Sequence, residues 1–187
     1  MLNFIKKRSY DLVTIFITQI AISIFGFALW IAIPSPAQGE AMTSSQFGLR
    51  VVTSIFAIMF FLFLTYSKVW NLGYKDIKGL DRRDAGYSRL GGLFIGIGAC
   101  LINLIVAVVH TLIYVFTGEM SVVTAAITYI TEGMYTGILT LTVGGVPLNN
   151  YIIMYYAILI PLIVTCTVAY YAGSKDFKIF APRNAKK

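Results

Sequence analysis

Charge is scarce in this chain, and four long stretches have none. Leu12–Ile33, Val51–Tyr66, Gly91–Phe116 and Tyr151–Tyr171 hold no Asp, Glu, Lys or Arg. Only 12% of the 187 residues are charged, about half the share of an ordinary soluble domain. Histidine occurs once, at His110, and cysteine twice, at Cys100 and Cys166. A single His with no carboxylate in the apolar stretches offers no histidine relay and no metal-ligand set. The two cysteines lie inside apolar stretches, where Cys serves as a small packing residue rather than a disulfide partner. The sequence has no H-E-x-x-H, no G-x-S-x-G and no phosphate loop, so nothing marks an enzyme and no cofactor is implied.

What is present is apolar sequence in blocks of membrane-crossing length. About 20 apolar residues span a hydrocarbon core of about 30 Å at 1.5 Å per residue. The expected spans are therefore residues 12–33, 49–70, 91–116 and 150–172. The second extends beyond its uncharged core, with Arg50 and Lys68 reaching for the two surfaces. The first apolar run, at 22 residues, exceeds a signal peptide's apolar region and is read as a retained span.

The fold class expected is an all-α integral membrane protein, one domain over 1–187. Fourteen of the fifteen Lys and Arg fall before the first span, between the second and third, or after the fourth, leaving Arg50 alone on the other side. By the positive-inside rule both termini face the cytoplasm, expected here to be that of a bacterium. The net charge of +7 thus reflects topology and attraction to anionic lipid headgroups, not nucleic acid.

"GYKDIK" at 73–78 returns as "GSKDFK" at 173–178. Sliding 51–80 onto 151–180 gives eight identical pairs: Ala57/Ala157, Ile58/Ile158, Leu62/Leu162, Thr65/Thr165, Gly73/Gly173, Lys75/Lys175, Asp76/Asp176 and Lys78/Lys178. The chain then reads as two repeated hairpins, 1–80 and 85–180. Each copy would close a helix as it leaves the membrane. Gly73 and Gly173 would end the helices in the left-handed conformation. Trp70 and Tyr170 would sit at headgroup level, and the aspartates would pair with neighbouring lysines or cap a following turn. Lys75, Asp76, Lys78, Arg82, Arg83, Lys175, Asp176 and Lys178 form a candidate cytoplasmic surface for docking a partner or lipid.

In the third span, Gly92, Gly96, Ala99, Asn103, Ala107 and His110 share one stripe within about 90°. The small residues suit close helix packing, and Asn103 needs a partner at mid-membrane depth, with Gln19 of the first span a candidate. His110 is the intramembrane ionisable residue. Pro161 should kink the fourth span. Gln19, Asn103, His110 and Pro161 together define a candidate polar path between the hairpins.

An outer segment, about 120–143, is amphipathic. Val123, Ile127, Ile130, Met134, Ile138 and Leu141 make one face, and Thr124, Thr128, Glu132 and Thr136 the other. It is expected to be interfacial or re-entrant, broken at Gly133. A full crossing would move the basic C-terminus outside.

Residues 66–103, "YSKVWNLGYKDIKGLDRRDAGYSRLGGLFIGIGACLIN", resemble small bacterial multi-span membrane proteins in which W-x-x-G-x-K-D follows one apolar helix and a Gly-rich helix comes next. The matching residues are Trp70, Gly73, Lys75, Asp76, Gly91 and Gly92. The resemblance implies a multi-span fold and no particular activity, and no site residue is carried over from it. The leading expectation is a non-enzymatic membrane component that docks a partner or anionic lipid, as a homo-oligomer or a subunit of a larger assembly. The alternative is a small transporter or channel using the polar path.

Overall fold

A computed structural model of the chain describes residues 2–34, 43–80, 87–119 and 121–177. The uncharged stretches become helices, because inside a bilayer a helix satisfies its own backbone groups. After the short α1 (Leu2–Lys7), α2 runs unbroken over Ser9–Ala32. Thr43 and Gln46 form a reciprocal capping box that starts α3, Ser44–Ile77. At 1.5 Å per residue α3 is about 50 Å long, longer than the stretch expected over 49–70. α2, α3 and the pair α8 (Ile152–Ala157) with α9 (Ile160–Ser174) are each long and apolar enough to cross a membrane. α4 (Gly91–Ala99) and α5 (Leu101–Thr117) make a fourth candidate span, bent by 55°.

The bend falls at Cys100, inside the third span expected over 91–116. The break in the fourth span lies at Ile158–Leu159, ahead of Pro161, which occupies the first turn of α9. Proline's missing N–H costs nothing in a first turn, so the chain re-initiates a helix there rather than bending through it. The two breaks face each other: the Cys100 thiol points at the Leu159 carbonyl at 3.8 Å.

α3 and α9 form the tightest contact in the bundle. A Cβ on Gly73 would stand 2.2 Å from the Tyr170 carbonyl oxygen, and one on Gly173 would stand 2.0 Å from that of Trp70. The contact is reciprocal. Both glycines lie inside their helices, which corrects the expectation that they end them; the left-handed residues are Gly79 and Asp176. α4 lies on α9 in the same way, Gly92 against the Cys166 carbonyl and Gly96 against Ile163. All six residues of the predicted stripe, Gly92, Gly96, Ala99, Asn103, Ala107 and His110, are buried.

The outward faces are apolar. Only 22% of the most apolar window of α2, and the same share in α3, is buried within the bundle. Water would not tolerate so much exposed Phe, Ile and Val, whereas lipid would.

The segment between α5 and α8 folds into the bundle. Ser121 caps α6 (Val122–Glu132), a 3-10 turn covers Gly133–Tyr135, and α7 spans Thr136–Leu139. A two-stranded hairpin follows, β1 (Thr142–Val143) with β2 (Val146–Pro147), turned by Gly144 and Gly145 at positive φ. α6 runs antiparallel to α5: Thr124 meets His110 and Glu132 meets Asn103. Gly133 fits against the Ser23 carbonyl of α2, and the chain then turns back so that the Gly137 amide reaches Ser54 Oγ on α3 at 2.9 Å. The polar face of α6 points inward. Its apolar side chains Val122, Val123 and Ile130 are exposed.

Candidate functional site

The buried polar residues collect at two depths. The deeper cluster is centred on Glu132, at the last position of α6. Gln19 of α2 and Asn103 of α5 both donate side-chain amide hydrogens to Glu132 Oε1, each at 2.5 Å. Exposure is 1% for Gln19, 5% for Asn103 and 3% for Glu132, so the group is sealed from bulk solvent. Two of the sequence-derived path residues are thus brought together by a third that sequence reasoning did not place among them. Among the described residues, Glu132 Oε2, Gln19 Oε1 and Asn103 Oδ1 have no hydrogen-bond partner.

Among the described residues Glu132 forms no ion pair. The Cys100 thiol and the Tyr135 hydroxyl lie close enough to feel its charge. α6 is not one of the four candidate spans, but its inner end is fully enclosed. Burial holds the Glu132 carboxyl well above the usual carboxylate range, against the opposing pull of the Gln19 and Asn103 hydrogen bonds. A cavity beside the cluster, bounded by Asn103, Ala107, Thr128, Glu132, Tyr155 and Leu159, has room for about one water molecule.

A file of polar side chains leads from this cavity along α5 and α6. Thr128 Oγ1 donates to the Thr124 carbonyl at 3.0 Å. Thr124 Oγ1 hydrogen-bonds His110 Nδ1. His110 is completely buried, its ring stacked on Tyr155 with centroids 4.3 Å apart. His110 therefore lies on the same file as Asn103, two turns further along α5. Pro161 does not line it. Its place in the first turn of α9 sets the break that presents Ile158 and Leu159 to the cavity.

The second cluster lies at the end of the bundle where Arg8, at the start of α2, meets α3 and α9. The Arg8 guanidinium is buried and pairs with Asp76 Oδ1, with Asp11 3.5 Å away. Tyr170 donates its hydroxyl hydrogen to Asp76 Oδ2 at 2.7 Å and accepts from the Ser88 amide at 3.4 Å. Tyr170 is thus a core residue, not a headgroup-level aromatic. Asp76 leaves the docking surface for the same reason, because both its oxygens are used inside. The matching sequence position differs: Asp176 is exposed, with a φ of 53°. Lys75, Lys78 and Lys175 are exposed at this end together with Lys6, Lys7 and Arg89. Arg82, Arg83 and Lys178 lie outside the described residues.

At the opposite end Arg50, the single basic residue assigned there, donates to the Ile33 carbonyl at 3.3 Å and lies 4.7 Å over the Trp30 ring. Sequence reasoning missed Glu132, Arg8 and Tyr170 as site residues. For Glu132 a signal existed: one polar face on an apolar segment, facing a bundle that itself held unpaired amides. Among the described residues, no group of His, Cys, Asp and Glu is placed to hold a metal ion. Comparison of the chain with protein-family models, curated proteins and solved structures gives no match.

Proposed function

We propose that this protein is a small membrane carrier whose polar route runs between α5 and α6 to a central site at Glu132. The observation that carries the reading is the convergence of Gln19, Asn103 and Glu132, three buried polar side chains from three elements. A carboxyl at this depth is expensive in a membrane, and such residues mark solute or ion pathways. The flanking architecture supports it. Carrier sites form where helices are discontinuous near mid-membrane, and here the breaks at Cys100 and Ile158–Leu159 lie beside the cavity.

In this reading the chain makes four spans in the cytoplasmic membrane of a bacterium. The lysine-rich end, with both termini, faces the cytoplasm, and α6 with α7 forms a re-entrant segment from the outer side. In this reading the polar file continues toward the outer end through Thr128, Thr124 and His110, all buried. Toward the inner end it is closed by Ile15, Phe61, Ile95, Leu162 and Cys166, all buried, and beyond them by the Arg8–Asp76–Tyr170 cluster. The reciprocal contact of Gly73 and Gly173 supports a duplicated hairpin related by an axis along the membrane normal.

The test is transient current on a solid-supported membrane carrying reconstituted protein, challenged with small cationic, anionic and zwitterionic solutes. At least one class should give a current that Asn103→Leu abolishes. Currents no larger than those of protein-free vesicles for every class would refute the carrier.

A second reading, docking of anionic lipid or a partner at the cytoplasmic end, is favoured by one observation. Lys75, Lys78 and Lys175 are exposed around the α3–α9 exit, Lys78 lying 6.0 Å over the Tyr74 ring and Lys175 5.9 Å over the Tyr171 ring. Native mass spectrometry decides it. A stoichiometric acidic lipid or partner protein supports docking, and a bare homo-oligomer counts against it.

A further inference from the structure

We infer that Glu132 is a reversible proton-binding site, loaded from the outer end of the bundle along the α5–α6 file, with Gln19 and Asn103 as positioning residues. The inference deepens the carrier reading by naming its coupling ion.

The geometry limits what the carboxyl can hold. One oxygen, Oε1, already accepts two amide hydrogens. That leaves Oε2, which is buried and without a partner. Protonating Oε2 removes a buried charge and leaves both amide bonds intact. In the ionised form the two amides are the only hydrogen-bond donors to the carboxylate among the described residues. The groups facing it from the surrounding elements are uncharged or weakly acidic: Gln19 and Ser23 on α2, Cys100 and Asn103 on α4–α5, Tyr135 on the turn after α6, and Tyr155 on α8. Arg50 stands at the outer end against Trp30, and Arg8 is committed to Asp76 and Asp11. Neither cation touches the carboxyl.

Access comes from the cavity. Glu132, Thr128 and Asn103 share its wall, and a single water there would touch both the acid and the threonine file. Thr124 and His110 continue the file outward toward Ser121, where α6 begins. On the inner side Ile15, Phe61 and Ile95 offer no hydrogen-bonding group to carry a proton on.

The experiment is carbodiimide labelling of the full chain in lipid vesicles, read by intact mass and peptide mapping. Dicyclohexylcarbodiimide is apolar and reacts with the protonated acid. The carboxyl O–H adds across one C=N bond, and the O-acylisourea rearranges to a stable N-acylurea without loss of atoms. One adduct per chain is expected at Glu132, with a yield that falls as pH rises, and Glu132→Gln should gain none. Gln19→Leu and Asn103→Leu each remove a hydrogen bond that favours the ionised form, so labelling should persist to higher pH in both. A purely packing role for the two amides would not move that midpoint.

Three results would overturn the inference: no Glu132 adduct in folded protein when the detergent-unfolded chain gives one, a yield independent of pH, or protection by sodium at constant pH. The last would identify an alkali-cation site instead. Pathway and site fail separately. Labelling without solute currents removes the carrier alone, and solute currents without labelling remove the proton site alone.

Discussion

Replacing Gly73 by alanine should loosen the end of the bundle where α3 and α9 meet most closely. The added Cβ would lie 2.2 Å from a backbone oxygen of α9, where real contacts essentially never fall below 3.0 Å. The obstacle is backbone, so no side chain can rotate away. The helices must part by about 1 Å, and a gap of that size forfeits up to roughly half of the attraction in each affected contact. Overpacking of this kind costs roughly 1–3 kcal/mol. Against it stands the intrinsic preference of alanine over glycine in a helix, about 1 kcal/mol. The net expectation is a loss of up to roughly 2 kcal/mol. Gly173→Ala meets the mirror contact at 2.0 Å and should behave alike. Because either change forces the same separation, the double variant should cost less than the sum of the two. Gly48→Ala is the control: it lies in the same helix with nothing within 4 Å and should stabilise slightly. Thermal unfolding in detergent, followed by tryptophan fluorescence, reads all four variants. If Gly73→Ala were as stable as Gly48→Ala, α3 and α9 would not cross where described.

Three further outcomes follow from the polar clusters and the exposed lysines. Arg8→Met strips Asp76 of its cation and should cost about 3–5 kcal/mol, whereas Tyr170→Phe removes one hydrogen bond and should cost about 1–3 kcal/mol; the same thermal assay ranks them, and the reverse order would contradict the assignment. Glu132 has a raised value in the folded state, so its contribution is present at low pH and is lost as pH rises through that folded value. The wild type should therefore lose stability with rising pH relative to Glu132→Gln, and parallel pH profiles would refute the enclosed carboxyl. Neutralising Lys75, Lys78 and Lys175 with Gln should lower retention of anionic lipid in a salt-sensitive manner, measured by lipid extraction from the purified protein; unchanged retention would exclude these side chains as the headgroup contact.

The spans were readable because their signal is crude and long. A run of some 20 residues without charge has few fates other than the membrane. The stripe from Gly92 to His110 was readable because helical periodicity alone places those positions on one face, and all six are buried. Pairings between elements were not readable. Nothing along the chain says that Glu132 meets Gln19, 113 positions away, or that Arg8 meets Asp76 across 68. Repetition also misled. Asp76 and Asp176 occupy matching positions, yet Asp76 is buried between Arg8 and Tyr170 while Asp176 is exposed. Gly73 and Gly173 resembled helix terminators because glycine serves both for left-handed turns and for close approach. The bend at Cys100 has no proline to announce it.

The inverted amphipathicity of α6 constrains how the protein is made. A helix with Val122, Val123 and Ile130 outward and Thr124, Thr128 and Glu132 inward cannot be threaded into lipid on its own, since its polar face would meet hydrocarbon. It can be seated only after α2 and α5 stand side by side with Gln19 and Asn103 ready to receive the acid. With α6 re-entrant, as proposed above, biogenesis is ordered: the long helices insert first, and α6 folds in from the aqueous side last. A chain arrested before that step would carry a complete set of spans and an empty groove, membrane-inserted yet unfinished, with Glu132 still in water.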